Sequence, residues 1–215
     1  MRTPYVIVNC AMSSDGKTAS PTGRQIRISC DEDIERMYNL RNKCDAVLVG
    51  VNTVISDNPR LTVKETYVKK PVQPVRVILD THLRTPMDAL TVDNSAKTLI
   101  ITGEKFSKKY GDNVELVQCS LDKDGFIDLK NLLDLLCKRG IKKLMVEGGS
   151  TVIWSFLNHD LVDETFVYVS PMIIGGKNTP YLAKDIKDFE KKSGLKLVDE
   201  KRLGPGRLFC FKRKK

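Results

Sequence analysis

A lysine, a glutamate and a pair of glycines stand where this chain could do chemistry. Lys17 closes the polar turn Met12-Ser13-Ser14-Asp15-Gly16-Lys17, which follows an apolar run. Glu147 closes the apolar run Leu144-Met145-Val146 and is followed by Gly148, Gly149, Ser150, Thr151 and Val152. Glycine lets backbone approach a ligand closely and adopt positive φ. Exposed N–H groups at a helix start, with the helix dipole behind them, favour an anion. Glu147 falls at the C-terminal end of its strand, where ligands of open α/β sheets bind. The bland alternative is a plain strand-to-helix turn capped by Ser150 or Thr151, with a solvated loop lysine and a capping or salt-bridging glutamate.

Rigid elements must hold these groups. Residues 5–10 (YVIVNC) read as a buried first strand. Residues 11–27 carry Ser, Asp, Gly and Pro and read as a long, polar, mobile loop that can cover the same edge as Glu147. Ser29 starts a helix that it or Asp31 can cap, continued by Ile34, Met37, Tyr38 and Arg41. Residues 46–49 form a second buried strand ending at Gly50, and residues 51–58 a short turn or helix stopped by Pro59. In that segment Thr53 suits a helix N-cap and Asp57 a turn position. Residues 61–63 read as a brief extended piece, and residues 75–79, 98–101 and 114–117 as strands. Residues 129–139 form an amphipathic helix with Leu132, Leu133, Leu135 and Leu136 inward. After the central strand, turn and helix, residues 165–170 and 172–174 read as strands flanking Pro171. Residues 194–202 and 207–212 form a hairpin around Gly204-Pro205-Gly206. Strands that alternate with helices and end in antiparallel strands predict an α/β fold. It would have a mostly parallel central sheet, helices on both faces and a C-terminal antiparallel hairpin.

Composition narrows the class. With 215 residues, 41% hydrophobic and 29% charged, the chain suits one domain, 1–215, of a soluble globular protein. No apolar run reaches membrane-spanning length and residues 1–4 lead straight into a strand, so neither a membrane nor a secretory signal is expected. None of the six cysteines forms CxxC, which favours buried thiols in a reducing cytoplasm. With two histidines, His82 and His159, no metal site is expected. Much of the net charge of +9 lies in the tail Lys212-Arg213-Lys214-Lys215 and in scattered helix-face lysines. No RNA-binding signature accompanies it, so a solvated basic surface is expected rather than a nucleic-acid partner. Neither GxGxxG after the first strand nor GxxxxGK[ST] is present.

Four segments in combination carry a resemblance: VNCAMSSDGKTA at 8–19, RIS at 27–29, GVNTVISDNPRLTV at 50–63 and VEGGS at 146–150. Together they resemble the reductases of the riboflavin pathway, in the archaeal and fungal form, over essentially the whole chain. That resemblance implies a dihydrofolate-reductase-like fold with NADPH (NADH also possible) across the C-terminal sheet edge. It implies an oxidoreductase acting on 2,5-diamino-6-ribosylamino-4(3H)-pyrimidinone 5′-phosphate, with hydride passing to the sugar C1′. Bacterial relatives fuse the reductase to a zinc deaminase; this chain has no HxE followed by PCxxC, so a stand-alone reductase is expected.

Site residues follow from the resemblance. Thr53, Asp57, Leu79, Asp80, Thr81, His82 and Gly148, Gly149, Ser150, Thr151, Val152 fall at cofactor-contacting positions. Lys17, Ser29, Arg41, Leu61 and Glu147 fall at substrate positions, with Lys17 and Glu147 as the catalytic pair. An acidic Asp80 beside a 2′-phosphate is unfavourable, a charge His82 or Arg84 could offset. Relatives often carry glycine where Ser150 stands. The resemblance also implies a homodimer through residues 165–174. Two other classes stay open on the residues alone. One is a pterin reductase using Asp31, Glu32 or Asp33. The other is a non-catalytic nucleotide- or RNA-binding protein.

Overall fold

The structure is a computed structural model of the chain and describes residues 3–22, 26–105, 108–182 and 194–213. Lys214 and Lys215 of the basic tail, and residues 23–25 of the first loop, lie outside the described residues. The chain divides into two compact units, Met1–Tyr5 with Asn39–Met145, and Val6–Tyr38 with Val146–Lys215.

The first unit is built on parallel strands. β2 (Ala46–Gly50), β3 (Val75–Leu79), β4 (Thr98–Thr102) and β5 (Val114–Gln118) pair in the order β5-β4-β3-β2. All five residues of β2 and all five of β4 are buried. Apolar side chains on both faces are what a parallel strand covered on both sides requires. β3 departs from that rule with Arg76, which is fully buried. α2 (Val51–Asp57) follows β2 directly and ends at Asn58, in the left-handed conformation asparagine tolerates. α3 (Leu129–Lys138) buries Leu129, Leu132, Leu133 and Leu136, and Asp128 caps it by accepting from the N–H groups of Lys130 and Asn131. The strand that carries Glu147, β6 (Lys143–Gly148), begins in this unit and ends in the other.

In the second unit β1 (Tyr5–Ser13) pairs parallel with β7 (Glu164–Ser170). β7 pairs antiparallel with β9 (Gly206–Arg213), and β9 with β8 (Leu195–Leu203) in the predicted closing hairpin. The unit also holds the larger part of α1 (Asp31–Asn42), and α4 (Ser150–Asn158), which buries Ile153 and Phe156. The fold class is the one the sequence implied: α/β, mostly parallel, with a C-terminal antiparallel hairpin.

Three local expectations change. Residues 172–174 form no strand. Pro171 lacks a ladder donor, Gly175 and Gly176 take φ of 68° and 86°, and the Ile174 and Gly175 N–H groups go to the Asp15 carboxylate. Residues 61–63 form no strand either; the Gln73 side-chain amide meets both backbone groups of Val63, at 2.8 and 2.9 Å, in place of a neighbouring chain. The polar loop after the first strand starts later than residue 11, because β1 runs on to Ser13.

Candidate active site

In the first unit, candidate ligand groups stand at the C-terminal ends of β2 and β3. Thr53 is half-buried in the first turn of α2, where Gly50 rather than Thr53 is the N-cap, and Asp57 accepts from Ser56 Oγ at 2.8 Å. Leu79 is half-buried at the end of β3. Asp80 is fully buried, and its carboxylate is consumed inside the turn it begins. Oδ1 accepts from Arg84 N at 2.9 Å, and Oδ2 from Thr85 N at 2.7 Å and Thr85 Oγ1 at 2.6 Å. That ring of donors holds residues 80–85 in a tight loop, with Leu83 at φ 50°. The side chain therefore organises the loop, and its charge is not what a ligand meets. Around it, Thr81 gives its carbonyl to Gly103 N, His82 Nδ1 lies 2.7 Å from Glu104, and Arg84 donates to Asn52 in α2 at 2.9 Å.

The same unit brings Arg41 and Leu61 together. Arg41 Nη1 donates to the carbonyl of Thr62 at 3.0 Å from the last turn of α1. Leu61 is buried with φ 53°, a conformation that costs a non-glycine residue about 1–3 kcal/mol. The neighbouring Arg60 ties this turn to Asp93 at 3.1 Å.

In the second unit, β6 ends at a half-buried Glu147 with its own partners, then at Gly148, which is buried at φ 138°. A Cβ added at Gly148 would meet nothing within 4 Å, so open space adjoins this backbone. The Gly148–Gly149 peptide is cis. Gly149 is the N-cap of α4, with no side-chain cap, so neither Ser150 nor Thr151 plays the capping role. Ser150 and Val152 are half-buried and Thr151 exposed in the first turn.

Lys17 is the larger surprise. It is a loop lysine, yet it is 4% exposed. Its ammonium sits 3.2 Å from the centroid of the Tyr181 ring and donates to the Gly176 carbonyl at 3.3 Å. Short bridges hold the surrounding backbone: Ser13 N to Lys17 O at 2.9 Å and Thr18 N to Pro180 O at 3.0 Å. Asp15 lies beside it without pairing with it. The Asp15 carboxylate accepts from Ser13 Oγ at 2.5 Å, Ile174 N at 3.1 Å and Gly175 N at 2.8 Å, and these donors hold its pKa down to about 2.

Ser29 is half-buried and faces Asp33. Its hydroxyl donates to Asp33 Oδ2 at 2.5 Å, while Arg36 takes Oδ1 at 2.8 Å and reaches Asn9 at 2.7 Å. With both oxygens engaged, Asp33 is committed to this network rather than turned toward a pteridine; Asp31 and Glu32 are exposed. Sequence reasoning missed Asp15 and Tyr181. Asp15 carried a signal, an acid two residues before the motif lysine. Tyr181 carried none, because the contact spans 164 residues of chain and follows an irregular loop.

A family model described as the RibD C-terminal domain matches residues 4–209. A protein of Archaeoglobus fulgidus named 2,5-diamino-6-ribosylamino-4(3H)-pyrimidinone 5′-phosphate reductase is 36% identical over 211 residues, covering 94% of this chain and 95% of the relative. Among solved structures, a Thermotoga maritima deaminase/reductase superposes with a TM-score of 0.84 at 28% identity, covering 99% of this chain and 57% of that longer one. Dihydrofolate reductase from Enterococcus faecalis, at 10% identity and a TM-score of 0.53 over 98% of this chain and 97% of that one, shares the fold alone.

Proposed function

The chain belongs to the RibD C-terminal domain family, and we propose that it reduces the ribosyl group of 2,5-diamino-6-ribosylamino-4(3H)-pyrimidinone 5′-phosphate to ribityl, as an oxidoreductase of riboflavin biosynthesis. One observation carries this reading: end-to-end likeness to a relative of that name and almost the same length.

The residues fit a reduced nicotinamide dinucleotide. Gly148 leaves open space beside backbone at a helix start that no side chain caps, which suits a pyrophosphate. Asp80 turns its charge inward, which removes the objection to a 2′-phosphate, and the exposed cation Arg84 supports NADPH over NADH. The bound cofactor would supply the hydride. This chain's groups would do the rest. As the C1′–ring oxygen bond opened, the Lys17 ammonium would supply the proton that the ring oxygen takes up. Arg41 would take the 5′-phosphate through its planar guanidinium, with Leu61 beside it. Glu147 would accept from the pyrimidine amino groups or orient the ribose. Ser29 spends its proton on Asp33, so its free lone pairs suit a substrate hydroxyl or amine. Thr53, Asp57, Leu79, Asp80, Thr81, His82 and Gly148 through Val152 remain the proposed cofactor set. We take the enzyme to be a cytoplasmic homodimer. The exposure of Ile173, at 80%, supports an interface beyond the end of β7; β7 itself is paired on both edges within one chain.

Mixing the protein with NADPH and the diaminopyrimidinone ribosylamine phosphate, and following absorbance of the reduced cofactor, tests the reading. Oxidation dependent on that substrate is expected. No oxidation removes the reading, and oxidation with dihydrofolate in its place selects the pterin reductase. Salt-sensitive RNA binding without affinity for reduced dinucleotide selects a non-catalytic binding protein.

A further inference from the structure

The loop that carries Lys17 is fastened at both ends of that one residue. Its backbone N–H donates to Ser13 Oγ at 2.9 Å, and its ammonium donates to Gly176 O at 3.3 Å. These two acceptors lie far apart in sequence, one at the last residue of β1 and one in the irregular segment after β7. A single carboxylate joins them. Asp15 accepts the Ser13 hydroxyl on Oδ1, and it accepts the N–H groups of Ile174 and Gly175, immediately before Gly176, on Oδ1 and Oδ2.

The circuit is closed. It runs from the Lys17 amide through Ser13 and Asp15 to the glycine segment, and back through the Gly176 carbonyl to the Lys17 ammonium. The glycines make the return possible. Both hold positive φ, and a Cβ on Gly176 would stand 2.3 Å from Thr179 Oγ1, so a side chain there would force the segment open. Thr179 Oγ1 in turn donates to Gly175 O at 2.6 Å, which fixes the direction of the next carbonyl. Asp15 itself does not touch the ammonium; each of its described partners is a hydroxyl or a backbone N–H.

From this geometry we infer that Asp15 is the positioning residue of the reaction, aiming the Lys17 ammonium by clamping the Ile174–Gly176 backbone against the Ser13–Lys17 turn. The inference rests on the reading of Lys17 as the group that serves the sugar oxygen. A carboxylate suits the task because two oxygens can accept from several N–H groups at once, which a hydroxyl or amide cannot match. It also stays ionised throughout the range in which an enzyme of this kind would work, so the clamp does not slacken with ordinary changes of pH.

Asp15→Asn is the test, because the amide keeps the shape and turns one acceptor into a donor facing an N–H group. We expect kcat to fall roughly 10- to 100-fold, the scale of a displaced catalytic group, while Kd for NADPH stays within about 2-fold. Acetylation of Lys17 by acetic anhydride, followed by peptide mass spectrometry, should rise several-fold relative to the other lysines as the ammonium is released, an outcome that a general loss of packing would spread over many sites. Wild-type kcat in Asp15→Asn, or unchanged Lys17 labelling, overturns the inference. Should Asp15→Asn fail to fold, Ser13→Ala cuts the same circuit between Asp15 and the Lys17 amide. A lowered kcat and faster Lys17 labelling then support the clamp, and wild-type values of either overturn it. Lys17→Ala separates the two levels: full activity in that variant refutes the role of Lys17 itself, whereas an inactive Lys17→Ala beside a fully active Asp15→Asn refutes only the clamp.

Discussion

Arg76 and Lys17 are both cations withdrawn from water, and the chain treats them in opposite ways. Arg76, on β3, meets an acceptor in every direction: Thr98 Oγ1 at 2.8 Å, Asp93 Oδ1 at 2.8 Å, Ser95 Oγ at 3.2 Å, and the carbonyls of Leu90 at 3.0 Å and of Asp93 and Ala96 at 2.5 Å each. Lys17 has one carbonyl and the face of one ring among the described residues, and the nearby carboxylate spends its oxygens on other donors. Burying a charge is costly unless it is paired and hydrogen-bonded. Arg76 meets that condition within its own unit and has no capacity left for a ligand. Lys17 meets it only in part, so a substrate oxygen can complete its coordination. On the proposed function, saturation marks a framework cation and incomplete saturation a working one.

The sharpest way to break this comparison is to remove the saturated cation. Arg76→Met takes the counter-charge from Asp93 and a donor from three carbonyls and two hydroxyls, of which the Asp93 and Ala96 carbonyls keep a second donor in Asn113, and should cost about 3–5 kcal/mol of stability, read from urea unfolding. The molecules that remain folded should keep wild-type turnover. A variant as stable as the parent would mean that saturation says nothing about framework. Lys17→Met should invert the pattern. Turnover should drop roughly 10²- to 10⁴-fold, the range of a lost general acid, while the unfolding midpoint moves little, because few bonds are lost and the methionine fills the space. A stability loss as large as that of Arg76→Met would erase the distinction. Arg41 falls between the two: it is half-buried, and it donates from Nη1 to the Thr62 carbonyl at 3.0 Å and has further partners of its own. Arg41→Ala should raise KM for the phosphorylated substrate roughly 10- to 100-fold with a smaller change in kcat. An unchanged KM takes Arg41 out of the phosphate site.

The fold was legible where local pattern and burial agree. The apolar runs of β2, β3 and β4, the leucine face of α3 and the Gly-Pro-Gly hairpin each appear within a few residues of where periodicity puts them. The misplaced strand at residues 172–174 shows what pattern alone lacks. Its apolar residues suit a strand, but a carboxylate 159 residues away takes the N–H of Ile174. Asp80 shows the same within one turn: the family resemblance puts it among the cofactor contacts, and sequence gives no sign that Arg84 and Thr85 engage its carboxylate locally. Nothing local marks Arg76 in the sequence, since none of its side chain's acceptors is adjacent to it. The motif Ser-Ser-Asp-Gly-Lys marked the turn at residues 13–17 but not the bonds its side chains make there.

The gentlest test of the comparison uses acid, since each cation is arranged by a carboxylate of lowered pKa. Asp15 is held at about 2 by the Ser13 hydroxyl and the N–H groups of Ile174 and Gly175. Asp93 is also at about 2; partial burial raises it, and the bonds from Ser95 and Arg76 outweigh that effect. An unfolded aspartate titrates near pH 4. A group whose folded pKa lies below its unfolded value stabilises the fold above the unfolded value and loses that contribution as pH falls through the folded one. Both clamps should therefore weaken between about pH 4 and about pH 2 and be indifferent to pH from 5 to 8. Urea midpoints measured across that range should show Asp15→Asn less stable than the parent near neutrality, with the gap closing as pH falls through the window, because the parent's own carboxylate is then protonated. Asp93→Asn should behave in the same way. It should begin from a larger gap, since it also deprives a fully buried guanidinium of its counter-charge, whereas Asp15→Asn loses bonds at a half-exposed turn. A gap for Asp15→Asn that stays constant down to pH 2 would mean that ionisation of Asp15 contributes nothing to the clamp, and the lysine would then owe its position to its own bonds to Ser13 and Gly176 and to the Tyr181 ring.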